Sequence, residues 1–308
     1  MTSTRVGLLQ ICLAGVLWGT GGVVVTVLHE RDGLTAMTVS AWRMLVAAVA
    51  LIGFAVVIRR WSAVVRTARA HPLLVALTGL GTAAYQALYF LSVLTVGVSV
   101  STVVALGIAP LLATAWEHGR ARSRPARRQL LVITAGLAGL VLISTLAHEG
   151  RGAPLDRPVL GLLLALVAGV VYAATTLVGR HLATRVDPVA LTTGATATGA
   201  AVLVPFLVTA VSASDPVGPS GAGSAALLLY LGVATMALAY GLLYLGLRTT
   251  PGSSATIATL LEPVAAAVLA VAVLGERLPW PAWAGGALIL VAVALTPSSR
   301  EPSAHPLT

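Results

Sequence analysis

The 22 residues Ser253–Leu274, SSATIATLLEPVAAAVLAVAVL, hold one charged side chain, Glu262, followed at once by Pro263. A stretch of about 20 apolar residues is long enough to cross a bilayer as a helix. A carboxylate near the middle of such a stretch costs roughly 2.5–3.5 kcal/mol on insertion scales, so it must be neutral, paired or in contact with water. The segment therefore reads as a membrane span with a polar centre.

Outward from it, the chain repeats the pattern. Apolar runs predict spans at Gly7–Leu28, Ala36–Ile58, Leu73–Val96, Val98–Trp116, Gln129–Leu146, Pro158–Gly179, Pro188–Val211, Ser224–Leu247, Ser253–Leu274 and Pro281–Leu295. Of the 308 residues, 57% are hydrophobic and 9% charged, and the mean hydropathy is +0.95. A soluble domain carries about 25% charged residues, so a soluble enzyme is excluded. The expected fold is all-α and polytopic, with ten transmembrane helices. The first apolar run is too long for a signal peptide and no small-residue cleavage site follows it. A single cysteine, Cys12, excludes an intrachain disulfide and a cysteine-ligated metal.

Every one of the 19 basic residues is arginine, which suggests a GC-rich bacterial genome. The net charge of +9 points to the anionic cytoplasmic leaflet of a bilayer and not to nucleic acid. With the amino terminus inside, the cytoplasmic segments hold 14 arginines and the outer loops hold four, Arg31, Arg151, Arg157 and Arg277, while Arg43 lies within a span. Positive loops stay cytoplasmic, so both termini are expected there, in a bacterial cytoplasmic membrane.

The chain also matches itself. At an offset of 154, Gly7-Leu8-Leu9 falls on Gly161-Leu162-Leu163, Ala14-Gly15-Val16 on Ala168-Gly169-Val170, and Trp18 on Tyr172; at 153, Gly79 falls on Gly232, Ser101 on Ser254 and Pro110 on Pro263. Two halves, 7–147 and 158–296, would each hold five spans. An odd number inverts the second half relative to the first, which is a secondary-transporter architecture with its substrate site near the midplane.

Glu262-Pro263, then Gly275-Glu276-Arg277-Leu278 and Gly285-Gly286-Ala287-Leu288-Ile289 resemble the second repeat of EamA-type proteins of the drug/metabolite transporter superfamily. Trp18-Gly19, Arg43 and Pro110 are similar to that family's first repeat. The resemblance covers about residues 7 to 296, and implies a ten-helix fold and export or exchange of a small metabolite without naming it. Two departures stand out. Ala109-Pro110 replaces Glu-Pro in the first half, and the arginine-rich loop Glu117–Arg128 replaces the Gly-Glu-Arg closure, so the fourth helix is expected to end a turn or two early.

Several side chains are candidates for a substrate cavity: Trp18, Tyr85, Gln86, Tyr89, Pro110, Tyr172, Tyr240, Tyr244, Glu262 and Pro263. Tyr85 and Tyr89 are four apart, as are Tyr240 and Tyr244, and so share helix faces. These rings either fill space or wall a pocket suited to an amino acid, an aromatic metabolite or a lipophilic cation. Glu262 either carries a coupling proton or contacts substrate, or else it braces the bundle through hydrogen bonds. Arg43 could snorkel outward, pair with Glu262 or bind an anion. Pro263 removes the amide partner of the Thr259 carbonyl and Pro110 that of Leu106, which either kinks a helix or opens backbone to a cavity. Gly15 and Gly19, like Gly169 and Ala173, read as close-packing positions.

A secondary transporter working by alternating access is thus the expected function, with export favoured only by what the resemblance implies; its partners are a small-molecule substrate and lipid, with proton coupling open and no oligomeric state specified. A channel or a structural membrane protein is the alternative. A membrane enzyme is disfavoured because the six histidines fall in loops, tails or helix ends with no ligand spacing. No cofactor or metal is expected.

Overall fold

A computed structural model describes residues 3–146, 158–212, 215–274 and 278–296. Gly275-Glu276-Arg277, His148, His305, Arg151, Arg157 and Arg300 lie outside the described residues, as does the 147 boundary of the first half. The secondary structure of the described residues is helical, with no strand among them. The helices are α1 (Ser3–Asp32), α2 (Ala36–Val57), α3 (Trp61–Ala70), α4 (Pro72–Ala121), α5 (Arg127–Leu146), α6 (Pro158–Ala183) and α7 (Pro188–Ser212). After these come α8 (Ala222–Tyr230), a π-helical segment (Leu231–Leu238), α9 (Ala239–Leu247), α10 (Gly252–Ala258), α11 (Leu261–Leu274) and α12 (Trp280–Leu295). Among the described residues nine segments are long and apolar enough to cross a membrane, and α12 is a shorter tenth. The protein is a multi-pass, all-helical membrane protein.

Three features refine or depart from the sequence expectation. The third and fourth spans fold back on each other as expected, but helical backbone runs unbroken through α4. Ser92 Oγ lies 2.7 Å from Ser101 Oγ, and Tyr89 Oη lies 2.8 Å from Thr102 Oγ1. A straight helix would place residues nine apart about 13 Å from each other. The arms 72–93 and 100–121 are therefore the two crossings. Second, the fourth crossing does not end early. It reaches Ala121, whose partner at an offset of 153 is Leu274, the end of α11. Arg122 in the left-handed region (φ 50°) stops it, with Ser123 N–H donating to the His118 carbonyl. Third, a helix outside the predicted spans, α3, lies within residues 59–71, with Arg66 and Arg69, and Val64 and Thr67 turned inward.

The chain alternates between two ends of the bundle. One end gathers the α2–α3, α4–α5, α6–α7 and α9–α10 connections and is termed here the basic end. It is tied by Arg60 to Asp187 at 3.2 Å and by Arg180 Nε donating to the Thr250 carbonyl at 3.1 Å. Asp187 also caps α7, accepting from Val189 and Ala190 N–H. At the opposite end the indole of Trp42 donates to the Val217 carbonyl at 2.6 Å, and Ser220 donates to Asp32. Thr35 caps α2 there, after Gly33 turns the chain with φ +68°.

The most extensive packings all join the first half to the second: α4 with α6, α5 with α12, α2 with α7, and α1 with α11 and α9. Small residues make two of these possible. A Cβ on Gly19 would run into the Glu262 carbonyl and Ala265, and one on Gly169 into Ile108 and the Ala105 carbonyl. Buried threonines satisfy their hydroxyls within the helix, as Thr78, Thr82, Thr192 and Thr193 do by donating to carbonyls four residues back. Leu9, Leu13 and Val16 on α1 and Leu163, Leu166, Val167 and Val170 on α6 face outward, as a lipid-solvated surface requires.

Candidate cavity between the helices

A cavity of about 430 Å³ opens between α1, α2, α4, α6, α9 and α11, within the usual size range of small-molecule sites. Its floor is formed by Trp18, Tyr85, Tyr172, Tyr240 and Glu262, and its walls rise past Val25, Val93 and Ala270 to Ala36, Val98 and Leu278. These last residues sit at the connections opposite the basic end, so the cavity reaches that end. Beneath the floor the basic end is filled: Ile11, Ala14, Leu182, Leu243, Tyr244, Leu247, Ala255 and Ala258 pack into one buried cluster, with Trp18 and Tyr240 resting on it.

The aromatic rings form two strings. Trp18 and Tyr240 stand 5.0 Å apart between centroids, and Tyr240 and Tyr244 are 6.1 Å apart. On the other side Tyr172 and Tyr85 are 5.0 Å apart, Tyr85 and Tyr89 6.0 Å, and Tyr89 and Phe90 5.6 Å. The helical spacing of four residues places Tyr85 with Tyr89 and Tyr240 with Tyr244, as such faces demand. Trp18, Tyr85, Gln86, Tyr89, Tyr172, Tyr240, Glu262, Pro263 and Arg43 all line the cavity. Tyr244 and Pro110 do not. Tyr244 is 2% exposed within the packed basic end, over Gly179. Pro110 is buried in α4, and Leu106, one turn earlier, reaches the cavity in its place.

Arg43 extends from α2 and its guanidinium lies 3.3 Å from the sulfur of Met236 in the π segment. It faces the cavity and does not reach outward along the helix to a surface. Arg43 and Glu262 make no ion pair: among the described residues that form is met only at Arg60–Asp187. The two opposite charges are separate features of one lining. Three further polar atoms of lining residues have no partner among the described residues: Trp18 Nε1, Arg43 Nε and Gln86 Oε1.

The backbone beside Glu262 also departs from expectation. Pro263 does not leave the Thr259 carbonyl open, because the Glu262 N–H donates to it at 3.0 Å. Thr259 and Leu260 form a turn between α10 and α11, and Pro263 occupies the first turn of α11, where a missing amide costs little. The turn is pinned from α6 by Tyr172 Oη donating to Thr259 Oγ1 at 2.9 Å. Sequence reasoning missed Thr102, Ser144 and Phe90 as lining residues, and it missed the π segment that carries Met236. Thr102 had a signal in register, since it stands one residue beyond Ser101 in the repeat. The π segment, which packs against α2, had none.

A model of the EamA-like transporter family matches residues 5–145 and again 159–297. The chain is similar to "uncharacterized transporter YwfM" of Bacillus subtilis, with 32% identity over 92% of this chain and 90% of that one. It is also similar to "uncharacterized inner membrane transporter YicL" of Salmonella typhimurium, with 26% identity over 96% of both. A solved crystal structure shares the fold, with a TM-score of 0.78 over 96% of each chain at 19% identity. With the family pattern present twice and nearly the whole length accounted for, the chain belongs to the EamA-like transporter family.

Proposed function

We propose that this transporter exports a small organic solute from the cytoplasm by alternating access, with no chemical conversion. The observation that carries the reading is the cavity itself: it is large enough for a metabolite, reaches one end of the bundle, and stops at a packed floor near the middle. A channel would need a continuous path, and the buried cluster under Trp18 and Tyr240 fills that path. The halves 7–147 and 158–296 act as two inverted five-span units that rock about the cavity, consistent with the packings that join one half to the other. Both termini are cytoplasmic, on the arginine asymmetry. The basic end is then the cytoplasmic end, and the cavity faces outward.

The lining suits a metabolite, an amino acid or an amphipathic compound. Aromatic faces take apolar groups, Arg43 takes an anionic group and Glu262 a cationic one. Glu262 is also the group for a coupling proton, since it lines the cavity with no ion-pair partner among the described residues. Comparison of metabolites released by overexpressing and empty cells tests the function. Selective release of at least one small solute is expected, and it should be lost in Trp18→Ala and Tyr240→Ala variants that insert at normal levels. Identical media from overexpressing and empty cells would remove the export reading.

A further inference from the structure

Glu117 lies on the last turns of α4, in the first half, and its carboxylate reaches across to the start of α10, in the second. One oxygen accepts the Gly252 N–H at 2.6 Å and the Ser253 N–H at 3.4 Å. The other accepts from the Ser253 hydroxyl at 2.5 Å. The amides at the beginning of a helix have no partner within it, and a carboxylate that takes two of them plus a hydroxyl makes charge-assisted bonds. The approach is close: a Cβ on Gly252 would stand 3.2 Å from Glu117 Oε1 and 3.0 Å from Leu177. These bonds lie at the basic end, around the cluster that closes the cavity floor.

The opposite end lacks the counterpart. At the repeat offset of 153, Glu117 corresponds to Ala270, whose methyl group lines the open cavity and can hold nothing across it. At the basic end the repeat position carries a carboxylate held by backbone amides, and at the opposite end the same position carries only a methyl group.

We propose that Glu117 is the bolt of the basic-end gate: its bonds to Gly252 and Ser253 hold that end shut and set the outward-open form as the resting state. This rests on the alternating-access reading above. Turning the cavity toward the basic end requires those bonds to break, so the bolt sets the population of the other form.

The chain's one cysteine reports on this gate. Cys12 sits on α1, partly buried, against the cluster beneath the floor and against a second buried cluster that includes Leu106, Ile133 and Ile257. The experiment measures the rate of Cys12 alkylation by N-ethylmaleimide in the full-length protein in membranes. Glu117→Ala should speed it by at least about tenfold, Ser253→Ala less, and Glu117→Asp least, because charged hydrogen bonds are graded in this way. Cys12 reactivity reports opening without any transported solute, so the bolt and the export reading fail separately. Acceleration in the variants supports the bolt even if no solute is ever found. A wild-type alkylation rate in Glu117→Ala at wild-type abundance would overturn the bolt, and it would do so even in cells that export. If Glu117→Ala fails to accumulate, an unchanged rate in Ser253→Ala overturns it equally.

Discussion

The arm of α4 that carries Ala109-Pro110 and the segment that carries Glu262-Pro263 occupy the same register of the repeat, and both end at the same place, Ala121 and Leu274. The first runs as continuous helix through its proline. The second breaks at Thr259-Leu260 and restarts so that its proline falls in a first turn. Proline alone therefore does not decide whether a span breaks. What differs is the surroundings: Glu262 in place of Ala109, and the Tyr172 hydroxyl pulling on Thr259 from α6. The reciprocal position to Tyr172 is Trp18, whose indole N–H has no partner among the described residues. One half thus holds a pinned break with a carboxyl at the cavity floor, while the other supplies an intact helix and an unspent donor.

Substitutions can break this contrast, and the largest effect falls on the carboxyl. Glu262→Gln should reduce gradient-driven transport to background while substrate binding persists, whereas Ala109→Ser should transport as wild type. Transport assays at matched membrane abundance check both. Next comes packing over the break. Gly19→Val forces a branched side chain onto the Glu262 carbonyl and should cost about 1–3 kcal/mol. Gly22, whose Cβ would meet nothing within 4 Å, should accept valine with little loss of thermal stability in detergent.

A smaller effect is expected at the pin. Tyr172→Phe removes one buried hydrogen bond, worth about 1 kcal/mol, and should lower the melting temperature; Trp18→Phe loses no bond and should lower it less. Smallest of all, Pro110→Ala returns an amide to the Leu106 carbonyl and should stabilise by at most about 1 kcal/mol. Pro263→Ala should not stabilise, because the Thr259 carbonyl already has a donor. Equal responses at the two prolines would erase the contrast.

Much of the fold was legible because lipid imposes a simple rule: each crossing needs its own apolar run, and the runs are separated by arginines and prolines. The tyrosine pairs could be placed because helical spacing of four is geometric. What escaped the sequence depends on contacts between distant segments. The fold-back of α4 was legible as the tight junction of two spans at Gly97, but not the contacts that hold it, Ser92 with Ser101 and with the Gly161 carbonyl. The satisfied Thr259 carbonyl depends on a turn that no local motif demands. Tyr244 has the same helical phase as Tyr240, yet it points into the packed end because the cavity stops one turn short of it.

The central claim is that a solute enters this cavity and that Glu262 couples its movement. Uptake into inverted membrane vesicles with an imposed acid-inside pH gradient tests it most directly, using the solute identified by the release comparison. Wild-type vesicles should accumulate that solute, and Glu262→Gln vesicles with equal protein should not. Equal accumulation by the two would contradict the account.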